Sequence, residues 1–194
     1  MNKLINIKNR REAAILLLQF KEKKYFHQTI RFSNVNLRKI NSFLAYKVFV
    51  KNDLYADSET LYELMQPVGE KGVHNYHDLS PDLLLDALNS IVEPYCVFVE
   101  DDNRYAVITM VLVDGKEPLM AIIAVGSGTY KDTGANVNKL VTMFPKKNIE
   151  SFISNLEESK ILYKNDFILI KKWEPIRGAN PHNPHSLPPV YVPP

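Results

Sequence analysis

His77 stands just ahead of Ser80-Pro81-Asp82, a capping hydroxyl followed by a proline and an acid. That order opens a helix, with proline suited to the first helical position. An imidazole titrates near neutrality and suits proton transfer. The helix start beside it carries backbone N–H groups that can meet a phosphate. A loop histidine packed beside Leu79 would give the same sequence, so both readings stand. His74 makes His74-x-x-His77, a spacing a metal pair can have. No third ligand occurs at a telling spacing, and the expectation is no metal and no cofactor.

A second polar group lies at Asn138 and Thr142, alternating with Val137 and Val141. On a regular strand, residues 138 and 142 share a face, which also takes Leu140. Two hydrogen-bonding side chains beside Lys139 or Lys147 could hold a phosphate; an ordinary polar sheet edge is the alternative. Lys146-Lys147 open a helix, where positive charge opposes the helix dipole. Ser127-Gly128-Thr129 lacks the Gly-Lys-Ser/Thr ending of a phosphate-binding loop and is read as a plain loop. Lys171-Lys172-Trp173 pairs charge with an aromatic, as single-strand binders do, though a lone tryptophan more often packs a strand down. Tyr163 anchors the end of its helix or donates to a phosphate. Cys96 lies in Tyr95-Cys96-Val97-Phe98-Val99, where a thiol acts as a small hydrophobe.

Several elements must position these groups. Ala13, Leu16, Leu17 and Phe20 repeat with helical spacing, predicting a helix over 9–24. Short helices are expected near 36–45 and 58–66, with strand-like chain at Tyr46–Lys51. Leu84, Leu85, Leu88, Ile91 and Val92 form a stripe after Ser80, and Pro94 ends that helix. Strands are expected at about 95–100, 104–113 and 117–126. Asp101-Asp102-Asn103 and Asp114-Gly115 supply the turns of an antiparallel meander. Ile149, Phe152, Ile153 and Leu156 predict a helix over 147–159, and Phe167–Ile170 a last strand. From Pro175 the chain holds 7 prolines in 20 residues and is expected to be extended or disordered.

The expected fold class is α+β: an antiparallel meander with helices packed on one side. The parts are a basic, mostly helical segment over 1–60, a core over 61–174 and a proline-rich tail over 175–194. With 194 residues, one domain with appendages is expected. One cysteine excludes an internal disulfide, and no apolar run spans a bilayer. A cytoplasmic address is the default, with no membrane partner. Residues 1–51 carry a balance of +10, residues 52–130 of −11 and residues 131–194 of +3. Such division suggests a basic surface for an acidic partner, with Arg10 and Arg11 among its cations. The two charged regions could equally pair with each other inside the fold.

From about His77 to Lys164 the chain resembles the C-terminal domain of MuF-like phage minor head proteins. It is also similar to phage members of the barnase/EndoU/RelE-like nuclease fold. The resemblance rests on His77-Asp78-Leu79-Ser80 and Ile91-Val92-Glu93-Pro94-Tyr95-Cys96-Val97-Phe98. It continues through Tyr105–Val113, Pro118–Val125, Asn136–Phe144 and Ile161-Leu162-Tyr163-Lys164. Where related members often carry Thr-x-Tyr or Ser-x-Tyr, this chain reads Thr142-Met143-Phe144, without the aromatic hydroxyl. The resemblance implies helices on a curved antiparallel sheet with a nuclease-type site on the sheet face. Members are domains of phage proteins and of bacterial toxins.

The resemblance and the basic segment together lead to an expectation of metal-independent RNA cleavage. His77 is the acid/base, Asn138 and Thr142 are transition-state donors, and Lys147 or Lys139 contacts phosphate. Arg10, Arg11, Lys139 and Lys146 hold the nucleic acid. A phage structural or interaction module without the chemistry is the alternative, as is a nucleic-acid-binding regulator using the basic N-terminal segment. A protein partner for that segment or for the proline-rich tail is a further possibility.

Overall fold

The computed structural model describes residues 3–43, 50–68, 77–101, 103–129 and 136–165. The proline-rich tail, Phe167–Ile170, Lys171-Lys172-Trp173 and His74 lie outside these residues. The elements run β1 (Lys3–Ile7), α1 (Arg10–Glu22), β2 (Gln28–Asn36), α2 (Arg38–Phe43), β3 (Val50–Asp57) and α3 (Ser58–Leu64). Then come α4 (Pro81–Ser90), β4 (Cys96–Asp101), β5 (Arg104–Val113), β6 (Glu117–Thr129), β7 (Asn136–Pro145), α5 (Ile149–Ser154) and β8 (Ile161–Lys164).

The strands form one eight-stranded sheet ordered β1-β2-β3-β7-β6-β5-β4-β8. The α+β class and the β4-β5-β6 meander stand as expected. The sheet is mixed, however, because β1 runs parallel to β2 and β3 parallel to β7. Asp114 and Gly115 both take positive φ, 52° and 67°, in a three-residue connection that ends at Lys116, between the paired Val113 and Glu117.

The N-terminal segment is not mostly helical: it contributes β1, β2 and β3 to the common sheet. In β2, Ile30 and Phe32 are buried while Arg31 is only half-buried, the alternation of a one-sided strand. A register shift between Phe32 and Asn36 shortens that alternation and hides it. β6 also runs through Ser127-Gly128-Thr129, expected as loop, and its backbone pairs Thr129 with Asn136. Residues 161–164, expected to end a helix, form β8 against β4.

Helices cover both faces rather than one. On the first face, Ile30, Leu54, Val107, Ile123 and Leu140 pack against α1, α3 and α4. Ala13, Leu16, Leu17 and Phe20 all point into this core. On the opposite face, Cys96, Phe98, Ile108, Met120 and Ile122 pack against Ile149 and Ile153 of α5. Burial of Cys96 pushes its thiol up to about 11, so it stays protonated and inert near neutrality.

Pairing within the fold accounts for part of the charge division. Arg10 pairs with Asp86, Lys24 with Glu63, Arg31 with Asp53 and Lys39 with Glu93. Each joins a cation of the basic segment to an acid of the acidic one. No helix among the described residues is long and apolar enough to cross a membrane.

Candidate active site

His77 is placed by the seam between α3 and α4. The Asp78 N–H donates to the Gln66 carbonyl at 2.8 Å, and the Leu79 N–H to the Leu64 carbonyl at 3.0 Å. Asp78 takes φ 51°, a left-handed conformation that its short polar side chain tolerates better than most. Leu79 is buried as a plug in the helix-side core. Ser80 then caps α4, its Oγ accepting from the Leu83 N–H at 3.1 Å. Such a cap contributes about 1 kcal/mol. Leu84 and Leu88, both fully buried, contribute roughly 1.5–3 kcal/mol each. Packing therefore docks the helix and the cap sets where it begins.

The histidine meets β7 where that strand outlasts β3. The last register pair between β3 and β7 is Tyr55 with Lys139, whereas β7 continues to Pro145. There His77 Nε2 lies 3.3 Å from Thr142 Oγ1. The His77 ring also sits beside Phe144, centroids 5.8 Å apart. Burial lowers the His77 pKa, since a desolvated imidazolium is disfavoured. The ring is thus neutral at pH 7 and held against a hydroxyl.

Asn138 does not join this pair, contrary to the shared face expected. Ile123 registers with Leu140 and Ile122 with Thr142, leaving Val141 as an extra residue on β7. Consecutive residues of β6 point to opposite faces, so this bulge reverses the phase of β7. Asn138 registers with Leu54 and Val125 on the helix-covered side and is fully buried. Thr142 points to the opposite face with Ile122.

The expected cations are dispersed. Lys139 Nζ lies 2.5 Å from Asp57 Oδ2. Lys146 Nζ lies 3.8 Å from the centroid of the Phe152 ring. Lys147 is exposed in the turn before α5. Arg10 and Arg11 are exposed on α1, which covers the sheet face opposite to Thr142. A cleft of about 490 Å³ is lined by Thr60, Asp101, Asn103, Arg104, Ala124, Lys139 and Val141, the last being the neighbour of Thr142 on β7. Among the described residues, no three His, Cys, Asp or Glu side chains gather closely enough to hold a metal.

Sequence reasoning noted Phe144 only for its missing hydroxyl and not as a neighbour of His77, although its two-residue spacing from Thr142 carries it to the same strand face. It also overlooked Arg104, whose place in the cleft depends on long-range register that no local pattern reveals.

The chain matches no curated protein and no solved structure. A family model described as the phage MuF-C-terminal domain matches residues 69–168. That stretch contains His77, the meander, β7 and the cleft residues Arg104, Ala124 and Lys139. The chain thus belongs to the phage MuF C-terminal domain family.

Proposed function

We propose that this domain is a metal-independent ribonuclease whose general base is His77. The observation that carries the reading is the 3.3 Å approach of His77 Nε2 to Thr142 Oγ1 at a half-buried ring. A base must be neutral to accept a proton, and burial favours the neutral imidazole. Thr142 orients the ring, and the cleft lined by its neighbour Val141 admits a strand.

In the proposed step, His77 takes the proton of a ribose 2′-OH. The 2′-oxygen forms a bond to the adjacent phosphorus, and the bond from phosphorus to the 5′-oxygen breaks. The 5′-oxygen takes a proton from solvent water, leaving a 2′,3′-cyclic phosphate and a 5′-hydroxyl, and His77 later returns its proton to solvent. The reading is tested with tRNA in EDTA, comparing wild type with His77→Ala. Cleavage by wild type that the variant loses supports it; equal cleavage by both overturns it.

A second reading is a phage structural module that keeps the fold without the chemistry. It is favoured by Lys139 resting on Asp57 and Lys146 on Phe152, so that both cations are engaged by the protein itself. Phe144 also brings no hydroxyl to the histidine. Expression in bacteria separates the readings, because a cytoplasmic ribonuclease slows growth and a structural module does not.

A further inference from the structure

The register of the sheet aligns charged residues that are far apart in sequence. Arg104 pairs with Ala124, Ala124 with Lys139, Lys139 with Tyr55, and Tyr55 with Arg31. Side chains in one such row share a face. Ala124 registers next to Ile123, which faces the helices, so the row belongs to the opposite face, the face of Thr142. The row alternates cation, small or aromatic residue, cation. Tyr55 is buried, whereas the stretch from Lys139 to Arg104 opens onto the 490 Å³ cleft.

Neighbouring strands lie about 4.8 Å apart, which puts the Arg104 and Lys139 backbones about 10 Å apart. Ala124 between them has no side chain beyond Cβ, so the cleft has a floor with a cation on each side. Each cation rests on a carboxylate: Lys139 on Asp57 at 2.5 Å, and Arg104 more loosely on Asp101 at 3.8 Å. The Arg104 and Asp101 side chains are both about half exposed, at 51% and 57%. A pair so exposed contributes little and yields readily to a stronger anion. Asn103 and Thr60 add hydrogen-bonding side chains at the rim.

We propose that the cleft over Ala124 binds the phosphodiester backbone of a single polynucleotide strand, with Arg104 as its main ligand. Lys139 is the second ligand, and Asp57 competes with the phosphate for it. The proposal deepens the ribonuclease reading and rests on it for the choice of polymer. Ile123 alone separates Ala124 from Ile122, the partner of Thr142, on β6. That places the Thr142 backbone, with His77 Nε2 3.3 Å from its hydroxyl, about 7 Å along the strands from the cation row. A phosphate held between Arg104 and Lys139 thus sets a neighbouring ribose at His77. Guanidinium suits the role because its planar donor fork matches two phosphate oxygens.

The test measures binding of a fluorescein-labelled 2′-O-methyl RNA octamer, which lacks the 2′-OH and cannot be cleaved, by anisotropy across a salt series. Arg104→Ala is expected to weaken binding about tenfold and to lower the salt slope by about 0.7. Ala124→Leu, which fills the floor, is expected to weaken it similarly. Asp57→Asn, which frees Lys139, is expected to tighten it several-fold. Lys116→Ala, in the turn between β5 and β6, serves as the charge-matched control and is expected to change nothing. Wild-type binding by both Arg104→Ala and Ala124→Leu overturns the proposal, as does no binding by any form. Because the octamer cannot react, loss of the cleft's role and loss of the ribonuclease reading give different results. His77-dependent tRNA cleavage with normal binding by Arg104→Ala removes only the cleft. Arg104-dependent binding without any cleavage removes only the chemistry.

Discussion

Asn138 and Thr142, four residues apart on β7, point to opposite faces of the sheet because Val141 is bulged between them. Bulges re-aim side chains, and this one turns Thr142 toward His77 while Asn138 stays in the helix-side core. The two polar residues therefore have separate consequences when changed.

Thr142→Val removes the hydroxyl and keeps the shape. Losing one orienting hydrogen bond is expected to slow tRNA cleavage about tenfold. The melting temperature should move little, since Thr142 is only half-buried. Thr142→Ser should restore the rate, as a merely steric role for the methyl would not allow. Rates and melting curves of the three proteins check this.

Asn138→Ala acts on stability instead. The side chain is fully buried, and removing a buried polar group leaves its surroundings unmatched, at a cost of about 1–3 kcal/mol. Urea unfolding measures that loss. The folded fraction should cleave at the wild-type rate, and a selective loss of rate would instead put Asn138 in the chemistry.

The pH dependence has a defined sign. Burial lowers the folded pKa of His77 below its ordinary 6.5, so the unfolded chain binds the proton more readily. Stability is then unaffected by this group above pH 6.5 and falls as pH drops below it, toward the folded pKa. His77→Gln should flatten that part of the profile. NMR titration of the ring should find its midpoint below 6.5, and cleavage should fall in step as the base is protonated.

Ser80→Ala tests how His77 is positioned. The cap bond to the Leu83 N–H is expected to be worth about 1 kcal/mol. Because α4 is docked chiefly by buried leucines, the variant should fold. A small loss of stability in urea, with cleavage reduced less than in Thr142→Val, is the expected outcome.

The local parts of this fold are legible in the sequence because their causes are local. The α1 stripe, the Ser80-Pro81 helix start and the Asp114-Gly115 hairpin are each written in adjacent residues. The meeting of His77 with Thr142 is less so: each residue type is legible as polar chemistry, but their contact joins positions 65 apart in sequence. The bulge at Val141 is invisible to a period-two reading, because it breaks the period such a reading assumes. An irregularity after Phe32 hides β2 in the same way. The pairing of Lys139 with Asp57, and the row from Arg31 to Arg104, arise from parallel and antiparallel register across β2, β3, β7, β6 and β5. Composition and spacing carry no record of that order.

The most direct measurement is cleavage of tRNA in EDTA by purified wild type and by His77→Ala, both shown folded by circular dichroism. General-base catalysis contributes about a hundredfold or more. With His77 as the base, the variant loses at least about a hundredfold in rate and the wild-type products end in 2′,3′-cyclic phosphate. Equal cleavage by the two proteins would contradict that role, and no cleavage by either would also contradict it and leave the structural module as the function of this domain.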